Sequence, residues 1–375
     1  MAPTWRLLSD EEARASWDEA LLKFDDNTPF QSYAWSEYRR ALGWQPYHWA
    51  AFNERGDIIA MMLGLVRRYP LKFGLVWSEG GPVGDLSACD QSLQDVMKQT
   101  TGLRRLYCRF RCDRERAVTD ALKLSAHGWD RSWFNMTSSF SMTLDLSKDE
   151  DKTLKACDQN WRRNLRRANE ANLTVRQWLD PDVDEVLSVY VSMQTVKGLE
   201  EQHSREEVEQ LLKNFNRNLV LYRCDDEHGE LVSLLGWLVF GDRAWAVFWA
   251  TSEEGRKLHA SFAIFWAIVQ HCQKLGLRNC DLAGIDPVRN NGVYRFKKAT
   301  GALPLEYLGE WDWATSSWLR WLGNWAISRR HQLSRAALSR KKAEESVIKP
   351  VEVNVKKASD KVVSEAIARP EAKVA

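Results

Sequence analysis

The residue types best suited to chemistry lie together at Tyr294, Arg295, Phe296 and Lys297. A lysine held in place supplies a cation, and a fixed cation aimed at a developing oxyanion is usually the largest single contribution to acyl-transfer catalysis. On its own, however, the segment predicts only a short amphipathic helix with a basic edge. The alternative interpretation is therefore a surface lysine on a helix that Phe296 anchors in the core.

Arginines at two places could bind phosphate or diphosphate, because a planar guanidinium donates two parallel hydrogen bonds to such groups. Arg39 and Arg40 follow a tryptophan in the first half of the chain. A second group, here called the arginine stripe, has helical spacing and consists of Arg162, Arg163, Arg166 and Arg167. The alternative for such a stripe is a solvated basic helix face.

An attacking amine must lose a proton, so a general base would assist acyl transfer to it. The candidates are Asp281, Asp286 and Glu79, and the sequence favours none of them. Asp281 lies at the end of a predicted strand and could equally cap the following loop. His259 lies at a predicted helix start, where a histidine is more often a cap or packing residue than a base.

The order of the predicted elements shows how these residues could be positioned. In each half of the chain, helices precede an antiparallel set of strands, and a helix, a strand, a helix and a strand follow. That order is typical of the GNAT acyltransferase fold. Its repetition predicts an α/β protein with two tandem GNAT-like domains, over 1–146 and 147–317. An amphipathic helix and a basic, helical or disordered tail are expected over 318–375.

Five segments, in the same order, resemble the Fem family of peptidoglycan-bridge aminoacyltransferases (FemA, FemB and FemX). They are Phe30-Gln31-Ser32 with Trp35 through Gly43-Trp44; Gly81-Pro82; the arginine-rich segment 160–175; His259-Ala260-Ser261; and Asp281-Leu282-Ala283-Gly284 followed by Tyr294 to Lys297 and Gly301. The resemblance covers residues 28–312. Each motif is weak alone, and the ordered set carries the resemblance.

This resemblance implies transfer of an amino acid from aminoacyl-tRNA to the stem-peptide amine of a nucleotide- or lipid-linked muropeptide. Lys297 matches the family's lysine, to which stabilisation of the developing charge is attributed. Phe296 would pack beneath Lys297, and Tyr294 would line the channel. The acceptor's diphosphate would meet Arg39, Arg40 and the arginine stripe, and Asp281 is counted with the substrate-binding residues. The expectation is no metal, and no cofactor besides aminoacyl-tRNA as co-substrate.

Two other functions remain open at this point. One is an N-acyltransferase that uses an acyl-CoA or other thioester donor on an amino sugar or polysaccharide precursor. CoA-dependent GNAT enzymes bind pyrophosphate on a glycine-rich loop, whereas segment 252–260 here has a single glycine and two acidic residues. That composition argues against acetyl-CoA. The other is a non-catalytic module that binds a muropeptide or nucleotide sugar.

Amino-acid composition limits the class of protein to which this chain can belong. The chain has 375 residues, of which 44% are hydrophobic and 28% charged, as in globular proteins. Its 19 tryptophans predict a tryptophan-rich core, with a sugar- or base-stacking surface as the alternative. Seven cysteines without a CxxC pair predict free thiols. Without an apolar leader or a membrane-length apolar run, a cytoplasmic protein is expected.

The C-terminal region is the basic part of a chain whose net charge is only +2. Residues 326–375 contain 12 Lys and Arg, 6 Asp and Glu, and no aromatic residue. Such a tail could contact anionic lipid or RNA, or remain solvated without a partner. Just before it, Trp318, Trp321, Leu322 and Trp325 share one helix face. That face suits peripheral contact with the inner face of the cytoplasmic membrane, and the alternative is packing on the second domain.

Overall fold

The structure is a computed structural model that describes residues 3–197, 203–288 and 290–348. The chain divides into a body, Met1–His331, and a second unit, Gln332–Ala375. The described residues form these strands: β1 Thr4–Leu8, β2 Gln45–Phe52, β3 Ile58–Tyr69, β4 Phe73–Glu79, β5 Val83–Gly84, β6 Arg105–Glu115, β7 Asp130–Arg131, β8 Phe140–Asp145, β9 Thr174–Gln177, β10 Leu219–Asp225, β11 Leu231–Phe240, β12 Arg243–Thr251, β13 Asn279–Asp281 and β14 Leu303–Ala314. The helices are α1 Asp10–Leu21, α2 Tyr33–Ala41, α3 Gln91–Thr101, α4 Val118–Ala126, α5 Glu150–Ala156, α6 Gln159–Asn169, α7 Val183–Lys197, α8 Arg205–Phe215, α9 Glu253–Lys257, α10 Ala260–Lys274, α11 Asn291–Ala299 and α12 Ser317–Ile348.

One continuous sheet runs through both halves of the body. Its strand order is β1-β2-β3-β4-β6-β14-β8-β13-β12-β11-β10-β9. Each half contains an antiparallel meander that ends in a parallel pair, β4 with β6 in the first half and β12 with β13 in the second. This internal repeat confirms the predicted tandem GNAT-like architecture. The predicted domain limits at 146 and 317 stay predictions.

Strand β14 joins the two halves of the sheet. Its residues from Leu303 to Glu306 pair with β8, and its residues from Tyr307 to Ala314 pair with β6. The ladders are antiparallel, and the register shifts between Tyr307 and Gly309, so the strand changes partner at an irregularity. The strands that carry the candidate site, β13 and β14, therefore lie at the centre of the sheet.

The apolar side chains pack into three clusters, and tryptophan supplies much of their volume. One cluster covers each half, around Trp129 in the first and Trp161 in the second. The third is shared, because α1 and α2 of the first half pack with α7 and α8 of the second. Six tryptophans are almost fully buried, namely Trp17, Trp49, Trp129, Trp161, Trp237 and Trp311. These six fit the predicted tryptophan-rich core. All seven cysteines are buried and unpaired.

The sequence of residues 149–172 predicts a single basic helix, and the structure differs from that prediction. The structure has two helices there, which break at Cys157, whose backbone is extended. Arg162 explains the break, because its Nη1 donates to the carbonyls of Lys155 and Cys157 at 2.9 and 2.8 Å. This side chain therefore caps the end of α5. Within the described residues, no helix has the length and apolarity needed to span a membrane.

Candidate active site

Lys297 lies in the interior and not at the surface. It is on α11, and only 3% of its surface is exposed. Its Nζ donates to the carbonyls of Ala283 and Gly284, at 3.0 and 2.9 Å. The third hydrogen of an ammonium group remains for another acceptor. The interpretation of Lys297 as a surface lysine is therefore wrong.

The turn that receives Lys297, Asp281 to Gly284, is held from the opposite side by Asp281. Its carboxylate accepts hydrogen bonds from the Ser141 hydroxyl at 2.5 Å and from the Ala283 N–H at 2.6 Å. Ala283 has a φ of 64°, in the left-handed region that residues with a Cβ rarely adopt. A Cβ on Gly284 would come within 2.9 Å of the Ser138 Cβ. Backbone geometry thus aims two adjacent carbonyls at Lys297.

Burial shifts both ionisable groups of this turn toward neutral pH. It raises the pKa of Asp281 to about 6, although the hydrogen bonds from Ser141 and Ala283 oppose the shift. It lowers the pKa of Lys297 to about 8, and the nearby Asp281 carboxylate opposes that shift. Perturbed acid and base groups in one place are typical of catalytic sites. At neutral pH, Asp281 is mostly ionised and Lys297 mostly protonated.

Phe296 packs beneath the lysine among aromatic side chains. Its ring centroid lies 4.9 Å from Phe262, 5.4 Å from Trp249, 5.6 Å from Phe265 and 6.2 Å from Trp161. Lys297 Nζ itself lies 5.7 Å from the centre of the Trp249 ring. This cluster fixes the position of α11 and presents a ring face to the cation.

A cavity of about 550 Å³ opens beside these rings and is here called the aromatic cavity. Lys297, Phe296 and Ala283 line one side of it. The wall also contains these side chains: Tyr190, His203, Phe248, Trp249, Arg256, His259, Ser261 and Phe262. Tyr294 is not among the lining residues. It is half-buried, and Lys298 Nζ lies 6.0 Å from the centre of its ring.

A second cavity, of about 440 Å³, is here called the carboxylate cavity. Its lining includes five carboxylates, two arginines and two asparagines: Asp25, Asp26, Asp113, Glu115, Asp281, Arg114, Arg243, Asn27 and Asn279. The Oδ1 atom of Asn27 and the Nε atom of Arg243 are buried without a hydrogen-bond partner. The wall of the cavity is therefore acidic, and it contains two buried polar atoms that have no hydrogen-bond partner.

A smaller cavity of about 140 Å³ lies between the other two. It shares Ala283 with the aromatic cavity and Asp281 with the carboxylate cavity. Because these residues are two positions apart in one turn, the three cavities follow one another around it. The turn therefore separates an aromatic space that contains the lysine from an acidic space that contains the carboxylate.

The two arginines predicted in the first half have different surroundings. Arg39 is half-buried, and its guanidinium lies 5.3 Å from the centre of the Trp44 ring and 5.8 Å from that of Tyr38. Its Nε is buried without a hydrogen-bond partner. Arg40 is exposed and ion-paired with Asp10 at 2.6 Å and Glu37 at 2.9 Å. Of the two, Arg39 keeps more capacity to bind an added anion.

The arginine stripe is only partly a stripe in the structure. Arg162 points back to cap α5, whereas Arg163, Arg166 and Arg167 are exposed on α6. Arg163 donates to the Asn160 side chain at 2.6 Å. Arg167 is close enough to His259 to help burial lower that imidazole's pKa, and His259 lines the aromatic cavity. Arg167 is therefore the residue of the stripe that lies near the aromatic cavity.

Four N–H groups are occupied in the segment that would bind CoA pyrophosphate in a GNAT enzyme. Residues Glu253–Lys257 form the short helix α9, and Ser252 caps it by accepting from the Gly255 N–H at 3.0 Å. The N–H groups of Arg256, Leu258 and His259 donate to backbone carbonyls. A Cβ on Gly255 would lie 2.4 Å from the Val232 carbonyl oxygen, so this glycine serves packing. The segment offers no glycine-rich cradle for a diphosphate.

Several residues of this site escaped the sequence analysis. Ser141 and Trp249 are brought to the turn by strands far apart in the chain, so no local pattern marks them. The left-handed backbone of Ala283 has no sequence signal either, because alanine is not the residue expected there. The carboxylates at Asp25, Asp26 and Asp113 become neighbours of Asp281 only in the folded sheet.

Comparisons with known proteins show which family and fold this chain resembles. The family model described as "Acetyltransferase (GNAT) domain" matches residues 155–298. UDP-N-acetylmuramoylpentapeptide-lysine N(6)-alanyltransferase of Weissella viridescens is 23% identical over 324 residues, which cover 81% of this chain and 94% of the relative.

Solved structures show the same fold. The crystal structure of FemX superposes with a TM-score of 0.72 at 17% identity, covering 85% of this chain and 99% of FemX. A tandem GNAT protein from the clavulanic acid biosynthesis pathway superposes with a TM-score of 0.52 at 12% identity, covering 84% of this chain and 99% of that one. The predicted resemblance to the Fem family and the predicted tandem GNAT-like fold are confirmed.

Proposed function

We propose that this Fem-like acyltransferase moves an amino acid from aminoacyl-tRNA to the stem-peptide amine of a peptidoglycan precursor, a step of cell-wall bridge formation. The proposal rests on the position of Lys297, which is buried, lines the aromatic cavity and is held by two carbonyls of the turn that separates this cavity from the carboxylate cavity. The Weissella relative is named for alanyl transfer to a lysine of a UDP-linked muramoyl pentapeptide, which is the same class of reaction.

The two cavities suggest where each substrate binds. The aromatic cavity suits the donor's terminal nucleoside, because aromatic side chains stack on bases. The acidic wall of the carboxylate cavity suits an acceptor that enters as an ammonium group. The acceptor's diphosphate would bind arginine, and Arg39 is the candidate with an unpartnered Nε. The ester carbonyl of the donor and the amine of the acceptor would then meet at the turn from Asp281 to Gly284.

The chemistry follows from the groups at that turn. The acceptor ammonium loses a proton, for which the Asp281 carboxylate in the lining of the carboxylate cavity is the candidate base. The amine then attacks the ester carbonyl, and the third N–H of Lys297 donates to the resulting oxyanion. Collapse of the tetrahedral intermediate breaks the ester C–O bond. The amide forms as the attacking nitrogen gives up its second proton, and the terminal ribose oxygen of the tRNA accepts a proton and leaves as a hydroxyl group.

The structure of segment 252–260 favours a tRNA ester over a CoA thioester as donor. A CoA donor needs backbone N–H groups for its pyrophosphate, and those of Gly255, Arg256, Leu258 and His259 are occupied. An aminoacyl-tRNA has no pyrophosphate. Because aminoacyl-tRNA and UDP-linked precursors are cytoplasmic compounds, the proposal also places the protein in the cytoplasm.

The donor experiment tests this proposal directly. The purified full chain is incubated with a UDP-linked muramoyl pentapeptide and either a labelled aminoacyl-tRNA pool or labelled acyl-CoA. We expect transfer from the tRNA pool and its abolition when ribonuclease is added before the enzyme. Transfer from acyl-CoA alone would contradict the proposal and would support an N-acyltransferase that uses a thioester donor. Binding of the precursor without transfer from either donor would favour the non-catalytic module.

A further inference from the structure

The first part of α12 leaves three tryptophans exposed on one side. Trp318, Trp321 and Trp325 are 65%, 47% and 48% exposed, and they are here called the tryptophan face. Their spacing of three and four residues places them in line along the helix. The rings of Trp321 and Trp325 are stacked, with centroids 6.3 Å apart. Single exposed apolar residues are common, but a row of three large aromatic ones is not.

The same helix packs on the body with its other side, so the tryptophan face is not needed to hold it. Leu319 is 5% exposed and Asn324 is 1% exposed. Asn324 donates to the Asp312 carboxylate at 2.8 Å and accepts from the Trp133 N–H at 3.1 Å. A Cβ on Gly323 would lie 2.7 Å from the Tyr107 ring, so the glycine permits close packing there. These contacts fix which side faces outward.

Basic residues follow the tryptophan face along the sequence. Arg329 and Arg330 are exposed within one to two turns of Trp325. From Ser317 to Arg330 the sequence has no acidic residue, and its basic residues are Arg320, Arg329 and Arg330. Arg320 is ion-paired with Asp312 of the body, which leaves Arg329 and Arg330 for an added anion. Tryptophan prefers the polar–apolar boundary of a bilayer, and arginine and lysine bind anionic headgroups. The combination of the two is the chemistry of a helix that lies on a lipid surface.

We propose that the tryptophan face, together with Arg329 and Arg330, docks the protein peripherally on an anionic lipid bilayer. A second copy of the chain is a poorer occupant, because a two-fold contact between these segments would bring like charges together. This docking goes beyond the proposed transfer reaction and does not depend on it.

Vesicle co-sedimentation of the full chain tests this docking. One set of vesicles is phosphatidylcholine, and the other also contains phosphatidylglycerol. We expect binding to the anionic vesicles that weakens as salt rises from about 0.1 M to about 1 M. The triple variant W318A/W321A/W325A should bind at least about tenfold more weakly. The double variant R329Q/R330Q should bind roughly 25-fold more weakly, about fivefold for each cation.

The matched control is V118A/L179A, which removes two apolar side chains that are 74% and 79% exposed on other parts of the body. It should bind as the unchanged protein does. All variants should keep the unchanged protein's thermal midpoint, because the altered side chains are exposed. Failure of the unchanged protein to bind anionic vesicles would overturn the proposal. Equal binding by the triple variant would overturn it as well. So would light scattering that shows a dimer which the triple variant converts to a monomer.

Discussion

The aromatic cavity and the carboxylate cavity lie on opposite sides of one turn, yet they are built differently. The aromatic cavity draws its wall from the second half alone, mainly from residues on β12, α10 and α11. The carboxylate cavity draws on both halves, with Asp25 to Thr28 and Asp113 to Glu115 from the first and Trp245, Asn279 and Asp281 from the second. One GNAT-like unit thus supplies the cation and rings, whereas the acidic space requires both units.

The largest expected effect concerns Lys297, the cation that lines the aromatic cavity. Replacing Lys297 with alanine should lower kcat by about a hundredfold to a thousandfold, because the oxyanion loses its charged donor. Initial rates in the tRNA-dependent assay provide the measurement. Lys298→Ala is the matched control, since Lys298 is the exposed neighbour on the same helix. Unchanged turnover in a folded Lys297→Ala protein would remove this lysine from the mechanism.

The next effect concerns the aromatic wall. Phe296→Ala should lower the free energy of unfolding by about 2–4 kcal/mol, because the ring leaves a space among Trp161, Trp249, Phe262 and Phe265. Chemical denaturation measures this change. Phe140→Ala is the control, since Phe140 is 51% exposed and its loss should cost within about 0.5 kcal/mol. A similar cost for both variants would mean that Phe296 does not support the aromatic cavity.

A third test concerns Asp281 in the carboxylate cavity. Burial raises the pKa of this side chain from 3.8 to about 6. Between those pH values the native state binds a proton that the unfolded state releases, so the free energy of unfolding falls as pH rises from about 4 to about 6. Asp281→Asn should remove this slope. Denaturation curves across that pH range measure it.

Asp145→Asn provides a control of opposite sign for the pH slope. The Ser147 hydroxyl lowers the pKa of Asp145, so this carboxylate contributes stability that is lost as pH falls. Removing it should reduce the loss of stability in acid and leave the slope above pH 4 in place. If Asp281→Asn behaved like Asp145→Asn, the buried carboxylate would not have the raised pKa described here.

The smallest effect concerns the arginine stripe, of which Arg167 lies near the aromatic cavity. Replacing Arg163, Arg166 or Arg167 singly with glutamine should change the free energy of unfolding by less than about 0.5 kcal/mol, since all three are exposed. Each change should reduce by about one the slope of log affinity for tRNA against log salt, if each arginine neutralises one phosphate. Filter binding measures the slope. A higher KM for the muropeptide with an unchanged slope would instead assign the stripe to the acceptor's diphosphate.

The sequence predicted the parts of this molecule that local patterns determine. The repeated order of elements predicted the tandem fold, and the segment from Tyr294 to Lys297 predicted the helix that carries the lysine. The break between α5 and α6 was missed, because it depends on Arg162 reaching back to two carbonyls. The carboxylate cavity was missed for a larger reason. Its residues meet only after β14 has paired with both β6 and β8, which no local pattern encodes.

The double pairing of β14 also determines when the first half of the sheet can be completed during synthesis. Tyr107 on β6 donates to Asp312 on β14 across 205 positions of sequence, so the ribosome completes the first half of the sheet long after it begins. Until then β6 has an open edge, and Trp311, which is 2% exposed in the finished cluster, has yet to be made. Open strand edges template aggregation, and contacts this distant slow folding. A nascent chain that stalls before residue 303 would therefore be a poor monomer, because the first half of its sheet would still lack β14.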